Sequence, residues 1–146
     1  LINKSPTRLG EAIFFTFNPA AGGDWFMDKL GEWVSPLEVV DGGSRGLHGI
    51  SSGVLYERTE AAVGGRSSMF VESRDAGVVV WSKPDPFPSP IHKQPDLGEG
   101  VSAMLFDNIW NTNYQFWYPS DDADRNNLFR FNVAFDQKRS TVPVLS

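Results

Sequence analysis

The chain has 146 residues, a formal net charge of −5, 40% hydrophobic and 13% aromatic residues, and no cysteine. That length suits one domain with a proper core, and the hydrophobic content excludes a disordered chain. Without thiols there are no disulfides, cysteine nucleophiles or cysteine-based zinc sites, and the acidic balance leaves no footprint for nucleic acid.

In chain order, Ile13, Phe15 and Phe17 alternate with Ala12, Phe14 and Thr16, which predicts a strand over residues 11–17 buried on both faces. Asn18-Pro19-Ala20-Ala21-Gly22-Gly23 is a turn cluster. Trp25 to Val34 reads as a strand with a bulge at Gly31. Ser35-Pro36-Leu37-Glu38 carries helix-start chemistry and Asp41-Gly42-Gly43 stops it, predicting one short helical turn near residues 35–41. Leu47 to Glu57 is extended, with a kink at Gly53. Ser68 to Ser73 and Gly77 to Ser82 predict a hairpin around Arg74-Asp75-Ala76-Gly77.

Five prolines, at 84, 86, 88, 90 and 95, make residues 84–98 a long Pro-rich surface loop. Val101 to Phe106 and the aromatic Tyr114 to Tyr118 return to strand. Phe129, Phe131, Val133 and Phe135 alternate with Arg130, Asn132 and Ala134, the clearest half-buried strand, and Gln137 to Ser146 reads as a tail. Seven or eight short strands without a long helical period predict an all-β fold, an antiparallel β-sandwich, with a single sheet or open barrel as the alternative. Residues 1–146 form a single domain on this reading.

Chemistry-bearing motifs are few. Only His48 and His92 are present, without HxxxH or HxH spacing, so no metal ligand set is predicted. His92 sits in the Pro-rich loop and is expected in solvent. Asp122, Asp124 and Asn126 match the start of a calcium loop, which then fails at Asn127 and Val133. No serine lies in a GxSxG elbow, and the glycines at 42, 43 and 46 make no dinucleotide fingerprint.

Arg45 and His48 are candidate functional contacts for hydroxyl or carboxylate oxygens. Gly42-Gly43-Ser44-Arg45-Gly46 is a polar loop ending at a strand, Arg45 offers a fork of donors, and His48 follows three residues on. The competing reading pairs Arg45 with Asp41 as an ordinary surface ion pair. Flat aromatic rings suit the C–H faces of sugars, so Trp110 and Trp117, with the amides Asn108 and Asn113, complete the substrate-binding candidates. Asn111-Thr112-Asn113 reads as a bend between aromatic stretches, with Trp110 either a core ring or a surface one.

Several runs resemble a known family when taken together. They are Ser5-Pro6-Thr7-Arg8-Leu9-Gly10-Glu11-Ala12, Asp28-Lys29-Leu30-Gly31, Gly43-Ser44-Arg45-Gly46-Leu47-His48, Ser73-Arg74-Asp75-Ala76, Asp107 through Tyr118, and Phe129-Arg130-Phe131. The set resembles the C-terminal region of proteins related to the family 38 glycoside hydrolases, the α-mannosidase group, in the branch called domain of unknown function 5054. The resemblance spans residues 5–135 and departs from the pattern at Gly46 and Asn111.

It implies a C-terminal β-sandwich, part of a longer protein, behind a catalytic domain that holds the zinc and the nucleophilic Asp. No catalytic or metal residue is carried over to this chain, and no cofactor is expected in it. The implied function is non-catalytic: the domain supports the catalytic domain and lines its sugar site. An independent carbohydrate-binding module is the alternative, and a complete small hydrolase a third reading. The implied partners are the N-terminal catalytic domain and carbohydrate, with neither nucleic acid nor a membrane, since no apolar run nears the roughly 18 residues of a spanning helix.

Overall fold

The alternating pattern becomes nine strands in the computed structural model, which describes residues 3–5, 10–19, 21–60, 64–85, 93–108 and 126–136. They are β1 (Glu11–Phe17), β2 (Asp24–Lys29), β3 (Glu32–Val34), β4 (His48–Gly49), β5 (Gly53–Glu60), β6 (Gly65–Ser73), β7 (Val78–Trp81), β8 (Val101–Asn108) and β9 (Phe131–Phe135). Every pairing is antiparallel. One sheet runs β1-β8-β7-β4 and the other β3-β2-β5-β6-β9. The fold is all-β, as the short alternating segments predict.

Successive side chains on a strand point to opposite faces, so residues of one parity meet the other sheet. Trp25, Met27, Val54, Tyr56 and Val71 from the five-stranded sheet meet Val79, Trp81, Val101 and Ala103 from the four-stranded one. The Trp25 ring lies 5.1 Å from Tyr56 and edge-on to Trp81 at 6.3 Å, bridging the layers. Leu55, Phe70 and Val80 have the opposite parity and are buried too, so the central strands are covered on both sides. Gly53 opens β5 where a Cβ would collide with the Val71 carbonyl, which explains a glycine inside an otherwise apolar strand.

Four local expectations are corrected. Trp25 to Val34 is not one bulged strand but a β2–β3 hairpin. Leu30 (φ 56°) and Gly31 (φ 94°) both take positive φ, the requirement of the turn whose twist matches flanking strands. Leu47 to Glu57 divides at residues 50–52 into β4 and β5, which belong to different sheets. The expected 68–82 hairpin is a crossover: β6 lies between β5 and β9, while β7 pairs β4 and β8. Arg130 holds the connecting loop, its Nε and Nη2 donating to the two Asp75 carboxylate oxygens at 3.0 and 2.7 Å. Arg74 N also donates to Arg130 O, drawing the loop toward β9 instead of folding it back. Finally, β1 is an edge strand with Phe15 50% exposed, so it is not buried on both faces.

Ser35–Glu38 is a single hydrogen-bonded turn, Glu38 N donating to Ser35 O at 3.0 Å and Leu37 N to Ser35 Oγ. Among the described residues the 3-10 helix is elsewhere, at Leu97–Glu99, started by Asp96 accepting from Gly98 N. The described parts of 84–98 contain no strand, in keeping with their prolines. The expected strand Tyr114–Tyr118, the tail from Gln137 and His92 lie outside the described residues.

Candidate functional site

The β2–β3 turn, β4 and the loop before it converge on one flank of the sandwich. Asp28 ends the outward-facing positions of β2 and is buried. Its Oδ1 accepts from Gly31 N at 2.8 Å, closing the hairpin turn, and its Oδ2 accepts from Ser52 Oγ at 2.5 Å. Ser51 N donates to the Asp28 carbonyl at 3.0 Å, and Leu30 N donates to Ser51 Oγ at 2.9 Å. The next residue, Lys29, points the other way and crosses the inter-sheet gap, its Nζ donating to Gly49 O on β4. Burial lowers the Lys29 pKa.

His48 sits on β4 opposite Val79, 4% exposed, with its ring edge-on to Trp81 at 5.5 Å. Burial lowers its pKa, the Lys29 charge lowers it further, and a hydrogen bond to the Arg45 main chain opposes both. Nε2 is buried without a hydrogen-bond partner among the described residues, so the Arg45 bond falls to Nδ1. The imidazole thus favours its neutral form as a packed, buried side chain.

Arg45 does not pair with Asp41. Its Nη1 donates to Gln94 Oε1 at 3.0 Å and its Nη2 to the Val39 carbonyl at 3.2 Å, while Gln94 Nε2 donates to the Leu37 carbonyl at 3.3 Å. The arginine fork thus supplies donors to a loop whose main chain lacks a ladder. The result is a loop sewn at both ends, with Gly43 N donating to Val40 O between them. It turns Val40, 79% exposed, and Leu37 to solvent.

Arg45 and His48 therefore meet through a main-chain bond, but the fold does not bring Asn108 to them. His48 is level with Val79 and Ala103, whereas Asn108 ends β8 opposite Glu11, buried. Asn108 lies five residue steps along β8 from Ala103, roughly 17 Å, and β7 intervenes. Trp110, Asn113 and Trp117 lie outside the described residues. Asp28, Lys29 and Ser52 carry this corner, yet no candidate reading singled them out. The Asp28-to-Gly31 spacing, typical of a side-chain-closed turn, was their one local signal.

Two other carboxylates of the five-stranded sheet are engaged as well. Glu57 pairs with Arg66, and Glu72 meets Asn132 Nδ2 and Arg74 Nε. Between the layers Phe17, Ile50, Val71 and Phe131 help line an apolar void of about 10 Å³, room for a water-sized sphere but not a sugar ring. Comparison of the chain with family models, curated proteins and solved structures gives no match.

Proposed function

We propose that this chain is a non-catalytic β-sandwich module that braces a glycoside-hydrolase-like catalytic domain, docking through the Pro36–Arg45 loop. The observation that supports this reading most is the use of Arg45. Its fork stabilises a loop that exposes Val40 and Leu37 instead of a ligand-facing donor array. Ordered apolar residues beside a polar stem suit a protein surface. Lys29 and His48 add to the argument, because Lys29 ties the two sheets together beneath that loop and His48 is packed against Trp81 within its own sheet.

The sequence resemblance to α-mannosidase-related C-terminal domains motivates the choice of partner. A sugar-stacking role for this module now rests on Trp110 and Trp117, since Trp25 and Trp81 are core rings and Trp33 is half-buried edge-on against Phe70. The test has two arms. The isolated chain should turn over no aryl glycoside of mannose, glucose or galactose, with or without zinc. In the full-length protein, Arg45→Ala and Val40→Asp should raise KM or lower kcat while the isolated domain keeps its unfolding midpoint. Turnover by the chain alone, or unchanged full-length kinetics, would refute the proposal.

A further inference from the structure

Two basic side chains lie close together at the stem of the Pro36–Arg45 loop. His48 stands on β4 opposite Val79, one residue before Gly49. Lys29 reaches over from β2, its Nζ donating to the Gly49 carbonyl, and its charge acts on the imidazole. One ring nitrogen of His48 is bonded to the Arg45 main chain. The other, Nε2, is buried and has no hydrogen-bond partner among the described residues. A neutral ring with its proton on Nδ1 suits this setting, because Nε2 then carries only a lone pair. A second proton turns Nε2 into a buried donor without an acceptor, beside an ammonium group.

Among the described residues, no anionic group offsets that second proton. The strand β7, Val78–Trp81, is apolar throughout. On β2, Asp28 takes the opposite face from Lys29 and is held by Gly31 N and Ser52 Oγ. In the loop, Glu38 and Asp41 are exposed, and the Arg45 guanidinium is turned to Gln94 and the Val39 carbonyl. Lys93 and Asp96, on either side of Gln94, are exposed, and Asp96 Oδ1 accepts from Gly98 N.

The backbone around His48 is thinly tied. β4 makes two register pairs with β7, Ile50 N donates to Gly77 O, and the loop before β4 is held by turn bonds and the Arg45 fork. The central strand β5 has eight residues, each paired with β6. Segments with few ladder bonds open at lower free energy than core strands do. An opened β4 puts the imidazole in water and away from Lys29, where it takes a proton near its ordinary value of about 6.5.

We propose that His48 is an acid-operated latch, its protonation opening β4 and the stem of the Pro36–Arg45 loop while the central strands stay folded. The closed form resists the proton and the open form accepts it, so the open fraction rises as pH falls below about 6.5. The rise is at most about tenfold per pH unit, and at most about 25-fold between pH 7 and 5. Above pH ~7 the ring is neutral in both forms and pH no longer moves the latch. The stem is that of the loop in the proposed docking, but the latch belongs to the chain alone, so its test needs no partner and its failure leaves the docking reading standing.

Hydrogen exchange of the native chain, read by NMR in low concentrations of urea at pH 7 and pH 5, tests the latch. The reporter is the Ile50 amide, which donates to Gly77 O. Each rate is divided by the intrinsic rate at its pH. The Ile50 amide should exchange through a local opening that urea hardly promotes, whereas the amides of β5 and β6 should exchange through urea-promoted global unfolding. The local open fraction should rise at least about threefold from pH 7 to 5. In His48→Phe, and in His48→Gln as a second variant that keeps a polar side chain, that rise should disappear. An Ile50 amide that exchanges only with the core strands at both pH values overturns the proposal. So does a local opening whose population is unchanged by pH, or a rise that persists in both variants.

Discussion

Replacing His48 by Phe should remove a defined part of the acid sensitivity of this domain. His48 is 4% exposed, against Trp81 and close to Lys29, and its pKa is lowered by burial first and by the Lys29 charge second. The native state therefore resists protonation while the unfolded chain takes a proton near the ordinary value of about 6.5. Below that pH the unfolded state binds more protons than the native state, so stability falls as pH falls. The slope from one such group approaches about 1.4 kcal/mol per pH unit until the native pKa is reached. Above pH ~7 the group is neutral in both states and contributes no slope.

Carboxylates obscure the measurement below pH ~5, where their own protonation begins in earnest. The informative window is therefore pH 7 to 5. Urea unfolding of the native chain and of His48→Phe at half-unit steps gives the difference curve directly. The gap between the two should shift across that window in favour of the variant at the acid end, by no more than about 1.4 kcal/mol per pH unit. Parallel curves would refute the reasoning, since they would mean that His48 is protonated as easily folded as unfolded.

Three further outcomes follow from particular residues. Leu30 is 95% exposed at φ 56°, so Leu30→Asn should relieve a left-handed strain of about 1 kcal/mol and raise Tm by roughly 3 °C; a lower Tm would refute this. Trp81→Ala removes a core ring packed on Trp25 and His48 and should cost about 3–5 kcal/mol in urea unfolding; a cost near that of a surface change would put the ring outside the core. The Arg130 guanidinium holds the Asp75 carboxyl down to about 2, so the native chain's advantage over Asp75→Asn should be constant above pH ~5 and vanish as pH falls through about 2. An advantage already lost at pH ~4 would contradict that pairing.

The sequence was most legible where structure is local. The alternation through Phe131, Val133 and Phe135 marks β9, and the run from Val101 marks β8 to within two residues. Ser35 announces a turn by capping chemistry that a helix and an isolated turn share, and only the missing continuation tells them apart. The β2–β3 turn escaped because Leu30 stands where Asn or Asp usually precedes the glycine. The crossover at Arg74–Ala76 reads like a hairpin, since the loop's partner, Arg130, lies more than fifty residues away. Site residues were harder still. His48 was visible as a rare titratable residue, but its burial under Trp81 depends on two sheets meeting. Arg45 was visible as a donor fork, but Gln94 and the Val39 carbonyl are partners that no spacing announces.

Binding of this chain to the proposed glycoside-hydrolase-like catalytic domain, produced separately and followed by titration calorimetry, tests the proposed bracing role most directly. The account predicts a saturable complex that Val40→Asp and Arg45→Ala each weaken by about tenfold or more, with the variants still folded. Failure to bind, or binding that both substitutions leave unchanged, would contradict it.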